Sequence, residues 1–179
     1  MSNHHHRGLV IVYTGNGKGK TTAAIGLAVR AIGYKRKVLF LQFIKEWFTG
    51  ERESLESLKP YITFLQMGEG FVGIWGDRKD RADHVNAAGR ALAFAVDQLQ
   101  SGLYDVVILD EINVAVSEKL ISLADVLHLL DCRPVHVDVV LTGRGASQEI
   151  IDRADLVTEM HEIKHPFQKG ILAKRSIDY

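Results

Sequence analysis

Three glycines at 15, 17 and 19 alternate with polar residues and run into Lys20, Thr21 and Thr22, within VYTGNGKGKTTAA from Val12 to Ala24. Small residues at that spacing let backbone N–H groups curl around phosphate oxygens. A lysine at the entry of a following helix offsets phosphate charge, the helix N-terminus adds positive potential, and the threonine hydroxyl reaches a magnesium ion. The stretch reads as a Walker A loop made of Gly15, Asn16, Gly17, Lys18, Gly19, Lys20, Thr21 and Thr22. Its spacing departs from GxxxxGK[ST], which puts glycine at position 14, where this chain has Thr14. The loop is either GxxxGKT from Gly15 or Walker-like with threonine first, a tighter cradle in which Lys18 is an additional cation.

Two further stretches complement it. In VVILDE, Asp110 and Glu111 stand where an apolar strand emerges, the position for a carboxylate that holds magnesium or its water shell. In TGRG, Arg144 lies between two glycines, either touching phosphate or ribose or standing as a solvated loop arginine. A triphosphate and its magnesium permit an ATPase, a small-molecule kinase, a nucleotide-gated binding protein, or a transferase that uses another part of ATP. The chain offers no obvious nucleophile to choose between them. Cys132, followed by Arg-Pro, reads as a small core residue, and Glu159, His161, Glu162 and His165 lack a metal-ligand spacing and read as surface residues.

The elements that must position these groups alternate along the chain. Apolar, β-branched runs predict strands at Gly8 to Thr14, Lys37 to Ile44, Tyr61 to Met67, Tyr104 to Glu111, Val135 to Gly143 and Asp155 to Ile163. A helix is expected from Gly19 to Ile32 with Gly33 as its stop. Val85, Ala88, Leu92, Val96 and Leu99 recur at spacings of three and four, one apolar helix face, and a further helix is expected from Glu118 to Leu130. Continuous apolar strands separated by helices need both sheet faces covered, which predicts an α/β three-layer sandwich with a mainly parallel sheet of about six strands. Ligands in such sheets bind beyond the carboxyl ends of the strands, where all three motifs fall.

Composition bounds the reading. A chain of 179 residues and 19.9 kDa suits one domain. Its 22 basic residues balance 22 acidic ones, which argues against a nucleic-acid or anionic-membrane surface. One cysteine excludes an intramolecular disulfide, and no long apolar run or leader is evident, so a cytoplasmic protein is expected. Residues 1–7, with His4, His5 and His6, are expected to be flexible or tag-derived and carry no fold argument.

Taken in order, GNGKGKTTAA, QFIK at Gln42 to Lys45, VILDE at Val107 to Glu111, TGRG at Thr142 to Gly145 and the terminal IDY at Ile177 to Tyr179 resemble the P-loop type ATP:corrinoid adenosyltransferases. The resemblance runs from about Gly8 to Tyr179. It implies a RecA-like fold, a homodimer, and transfer of the 5′-deoxyadenosyl group of ATP to the cobalt of a reduced corrinoid, cob(I)alamin or cobyrinic acid a,c-diamide, with triphosphate leaving. A reducing flavoprotein is the implied electron source. Because cobalt(I) is itself a strong nucleophile, such chemistry explains the absence of a protein one.

By the same resemblance, Lys20, Thr21 and Glu111 are catalytic, residues Gly15 to Thr22 hold the triphosphate, Arg30 lies near the nucleotide, and Thr21, Asp110 and Glu111 hold Mg2+. ATP is implied to bind with its phosphates reversed relative to usual P-loop enzymes. The glycine- and aromatic-rich MGEGFVGIWGD suits a loop that packs rings on a flat cofactor. Its Met67, Phe71 and Trp75 are the expected corrinoid contacts, although Trp75 stands further from Phe71 than the family's tryptophan does. The competing readings are a P-loop ATPase or small-molecule kinase, and a non-catalytic nucleotide-dependent corrinoid-binding protein.

Overall fold

The computed structural model describes residues 7–44, 49–70 and 79–177. Six strands, β1 (Val10–Thr14), β2 (Val38–Gln42), β3 (Ile62–Gln66), β4 (Val106–Asp110), β5 (Asp138–Thr142) and β6 (Leu156–Glu159), form one sheet in the order β3-β2-β4-β5-β1-β6. Every pairing is parallel. The helices are α1 (Lys20–Gly33), α2 (Gly50–Glu56), α3 (Arg81–Gln100), α4 (Ile112–Ser117), α5 (Leu123–Asp131) and α6 (Gln148–Arg153), with a 3₁₀ turn at Pro166–Lys169.

Alternation along the strands divides the core in two, as the two-residue period of a strand requires. Val10, Val12, Leu39, Leu41, Val107, Leu109, Val139 and Leu141 pack with α3 and α5. Their neighbours Ile11, Val38, Phe40, Val106, Ile108 and Val140 pack with Ala24 and Ala28 of α1 and Leu55 of α2. Both faces of the central strands are therefore covered, and the three-layer parallel architecture expected from the apolar runs is the one observed. Edge strand β6 differs, since all four of its residues are exposed.

Three local expectations are corrected. The helix expected from Glu118 to Leu130 starts later, as α5 at Leu123, and the short α4 ends before it at Ser117: Lys119 adopts a left-handed conformation (φ 56°), and Ser122 caps α5 by accepting from the Asp125 N–H at 3.1 Å. The stripe on α3 is shifted, because Val85 is exposed while His84, Ala87, Ala91 and Ala95 are buried. Ala88, Ala91, Leu92, Ala95 and Leu99 are the residues of α3 that enter the core on that face of the sheet. Finally, Gly33 is the last residue of α1 and the left-handed residue beyond it is Lys35 (φ 59°).

Candidate functional site

The carboxyl ends of β1, β4 and β5 carry the three motifs. Thr14 closes β1: its carbonyl accepts from Met160 N–H at 2.9 Å, and its hydroxyl accepts from Ala146 N–H at 3.3 Å. The loop therefore begins at Gly15, as GxxxGKT. Gly15 (φ 90°) and Gly19 (φ 120°) occupy backbone regions that favour glycine, and a Cβ at Gly15 would collide with the Met160 carbonyl. The strand that follows α6 thus presses the loop into shape, with Gly17 N–H donating to Met160 O at 2.7 Å.

Lys20 opens α1 and is buried. Its Nζ donates to Gly15 O at 2.7 Å and Gly17 O at 2.8 Å, so the loop wraps its own cation. Thr21 follows, and its hydroxyl donates to Asp110 Oδ1 at 2.9 Å. Asp110 is fully buried and also accepts from Thr142 Oγ1 at 2.7 Å and from Gln42 Nε2 at 3.0 Å. A carboxylate has no proton to give, so both hydroxyls must donate to it. Thr21 then offers only lone pairs in its other directions. Thr21 and Glu111 line the cavity over the loop, while Asp110 lies buried behind Thr21; hydroxyl and carboxylate oxygens are the hard donors that Mg2+ takes. Glu111 itself is held left-handed (φ 64°), its N–H donating to Thr142 Oγ1 at 2.9 Å.

A cavity of about 710 Å³ lies over the loop. Asn16 to Thr22 and Ile25 form its floor, Glu111 and Arg144 reach it from the ends of β4 and β5, and Thr49, Gly50, Glu51 and Ser54 form a wall at the start of α2. The C-terminal stretch supplies the remaining wall through Glu162, His165, Ala173, Ser176 and Ile177. Arg144 is exposed between Gly143 (φ 129°) and Gly145 (φ 69°). Gly143 is required there, because a Cβ would come within 2.9 Å of the Val114 amide nitrogen.

Burial lowers the pKa of the Lys20 ammonium below its ordinary 10.5; Glu111 and Asp110 oppose this and Arg144 reinforces it. A triphosphate binds the charged form. ATP affinity is therefore expected to fall as pH rises from the lowered pKa towards 10.5, with proton uptake on binding in that window. Titration calorimetry in two alkaline buffers of different ionisation enthalpy measures the uptake, and equal heats would contradict it.

Other expected residues fall elsewhere. Arg30 is exposed in the last turn of α1, about 15 Å along the helix from Lys20, and does not line the cavity. Met67 packs against the core, while Phe71 and Trp75 lie outside the described residues. Cys132 sits at the end of α5 with Sγ 3.4 Å from His128 Nε2, and it does not line the cavity. Of the four residues read as surface, Glu159 and His161 do pair on the surface at 3.6 Å, but Glu162 and His165 line the cavity. Among the described residues no cluster of three or more His, Cys, Asp or Glu could hold a metal.

Residues without a sequence signal also enter the site. Thr49 lines the cavity, is 1% exposed, and its Oγ1 has no hydrogen-bond partner among the described residues. A buried hydroxyl in that state is completed by a ligand or water. Gln42 and Thr142 were visible only as members of short motifs, with nothing to show that both bond Asp110.

Fold and cavity together define a P-loop nucleotide-binding protein. The fold is shared with the flagellar accessory protein FlaH of Methanocaldococcus jannaschii, at a TM-score of 0.57 and 12% identity over 86% of this chain and 71% of that one. More specifically, the chain belongs to the ATP:corrinoid adenosyltransferase BtuR/CobO/CobP family, whose model it matches over residues 6–179. It is 42% identical over 180 residues to the corrinoid adenosyltransferase CobA of Salmonella typhimurium strain LT2, covering 97% of this chain and 86% of that protein. It is 41% identical over 175 residues, with the same coverage, to the corrinoid adenosyltransferase of Escherichia coli K12.

Proposed function

We propose that this protein transfers the 5′-deoxyadenosyl group of ATP to the cobalt of a reduced corrinoid and releases triphosphate. The observation that carries the reading is the cradle of Lys20, Thr21 and buried Asp110, on a chain that matches the adenosyltransferase family over residues 6–179. In the transfer, the electron pair of cobalt(I) forms the bond to C5′ as the C5′–O bond breaks. The pair of that bond leaves on the triphosphate. The protein needs no nucleophile of its own; it aligns donor and acceptor and offsets the charge that develops on the leaving group.

Lys20, Lys18 and Arg144 supply positive charge at the phosphates, together with the N–H groups of the glycine loop and the start of α1. Thr21, Asp110 and Glu111 would hold Mg2+, which would supply Lewis-acid stabilisation of the leaving phosphate oxygens. A reversed triphosphate directs the ribose C5′ towards the acceptor rather than away from it. Met67, Phe71 and Trp75 belong to the corrinoid side. The working enzyme is a cytoplasmic homodimer supplied with electrons by a flavoprotein. No described helix is long and apolar enough to cross a membrane.

The test is product identity. Protein, Mg-ATP and a chemically reduced corrinoid should yield a light-sensitive adenosylated corrinoid and intact triphosphate; ADP, or no turnover, overturns the reading. Phe71→Ala is expected to leave ATP affinity unchanged and to impair the reaction when the corrinoid starts as cobalt(II). Unaltered activity from cobalt(II) removes Phe71 from the site.

A further inference from the structure

One row of polar side chains crosses the carboxyl end of the sheet where apolar residues would otherwise continue. Gln66 pairs with Gln42, and Gln42 with Asp110, as register partners on the adjacent strands β3, β2 and β4. Their side chains are joined in the same sequence. Gln66 Nε2 donates to Gln42 Oε1 at 2.9 Å, and Gln42 Nε2 donates to Asp110 Oδ2 at 3.0 Å. Gln42 and Asp110 are fully buried.

The direction of this row is forced. The Asp110 carboxylate can only accept, so Gln42 must turn its NH2 towards Asp110 and its carbonyl towards Gln66. Gln66 must then present its own NH2. The outer end is anchored by backbone bonds, Met67 N–H to Gln42 O at 3.0 Å and Gly70 N–H to Ile44 O at 2.8 Å. On the far side, Asp110 Oδ1 receives the hydroxyls of Thr21 and Thr142. Together these bonds fix the orientation of the carboxylate that orients Thr21.

Burying the Gln42 amide and half-burying that of Gln66 is unfavourable unless each is paired, and a leucine at Gln42 would fill the space without that cost. Packing alone does not account for them. We propose that Gln42 and Gln66 are positioning residues: an amide relay that holds the Asp110 carboxylate, and through it the Thr21 oxygen, in the orientation that receives the magnesium of Mg-ATP. The inference rests on the magnesium reading of the proposed function. Neither the amides nor Asp110 line the nucleotide cavity, so the row acts on it through Asp110 and then Thr21, which does.

The experiment measures ATP affinity of the full chain twice, with Mg2+ and with EDTA, and takes the ratio as the magnesium enhancement. Gln42→Met keeps length and volume but removes both bonds; it should lower the enhancement about tenfold, the lower end of what outer-shell metal partners show, and change affinity in EDTA by less than about twofold. Gln66→Met should lower it about threefold, a weaker effect from one bond further out. The double variant should match Gln42→Met alone, since the outer amide acts only through the inner one. Gln66→Glu, which can accept but not donate, should behave like Gln66→Met, whereas a packing role would not distinguish Glu from Gln.

Equal losses with and without Mg2+, additive losses in the double variant, or an unchanged enhancement each overturn the relay. A wild-type chain that shows no enhancement overturns the magnesium reading itself, a different result. Should Gln42→Met fail to fold, the two Gln66 variants at the partly exposed end still decide the matter.

Discussion

Lys20→Ala is expected to lower kcat by about 10²–10³-fold, the scale on which loss of one preorganised donor to a developing charge is felt. In the structure its Nζ holds Gly15 O and Gly17 O, so it shapes the loop, and the residue lines the cavity proposed to take the triphosphate. The variant loses the charge and leaves two loop carbonyls without their donor. Affinity for ATP should fall with kcat, because the ground state already carries the triphosphate charge. Lys20→Arg should not restore the rate, since a planar guanidinium cannot reproduce a compact ammonium between two carbonyls of a closed loop. Single-turnover kinetics with reduced corrinoid measure the effect. A kcat within tenfold of wild type would remove Lys20 from charge stabilisation.

The second large effect is expected at Asp110. Asp110→Ala leaves Thr21, Thr142 and Gln42 without their common acceptor in a buried site. Loss of buried bonds to a charged group should cost about 3 kcal/mol of stability. For a chain of this length that lowers Tm by about 6–12 °C. Asp110→Asn keeps the shape and, with the Gln42 and Gln66 amides reversed, can keep the bonds, but it lacks the charge that strengthens them, so it should recover only part of the loss. Both variants should fall below about 1% of wild-type turnover, because a displaced carboxylate also displaces Thr21 and with it the proposed Mg2+ site. Thermal unfolding and turnover are measured on the same samples. An Asp110→Ala chain that keeps its Tm would contradict the bonding described, and one that keeps its activity would contradict the metal role.

Much of the architecture was legible because it depends on local pattern. Runs such as KVLFLQFI and YDVVILDE are too apolar to face water on either side, so buried parallel strands follow from composition alone. The glycine loop was legible for a similar reason. Gly15 and Gly19 take positive φ, and a residue type that tolerates it announces the turn. The late start of α5 was hidden because the apolar Leu120 and Ile121 precede it, whereas Lys119 and Ser122 act through backbone geometry and a cap. Arg30 lies ten helical residues on from Lys20, so the rise of α1 alone places it about 15 Å along the helix.

The sequence by itself determined the layers, the phosphate loop, the acidic strand end and the family resemblance, because each is written in residue type over a few consecutive positions. Only the tertiary structure decided that Gln66, Gln42, Asp110 and Thr142 form one bonded row, since they lie on four different strands and meet only through sheet register. It also decided that Thr49 and the stretch from Glu162 to Ile177 wall the cavity. Side chains far apart in sequence carry no shared local signal, and whether they meet depends on strand order and on how the chain returns to the sheet edge.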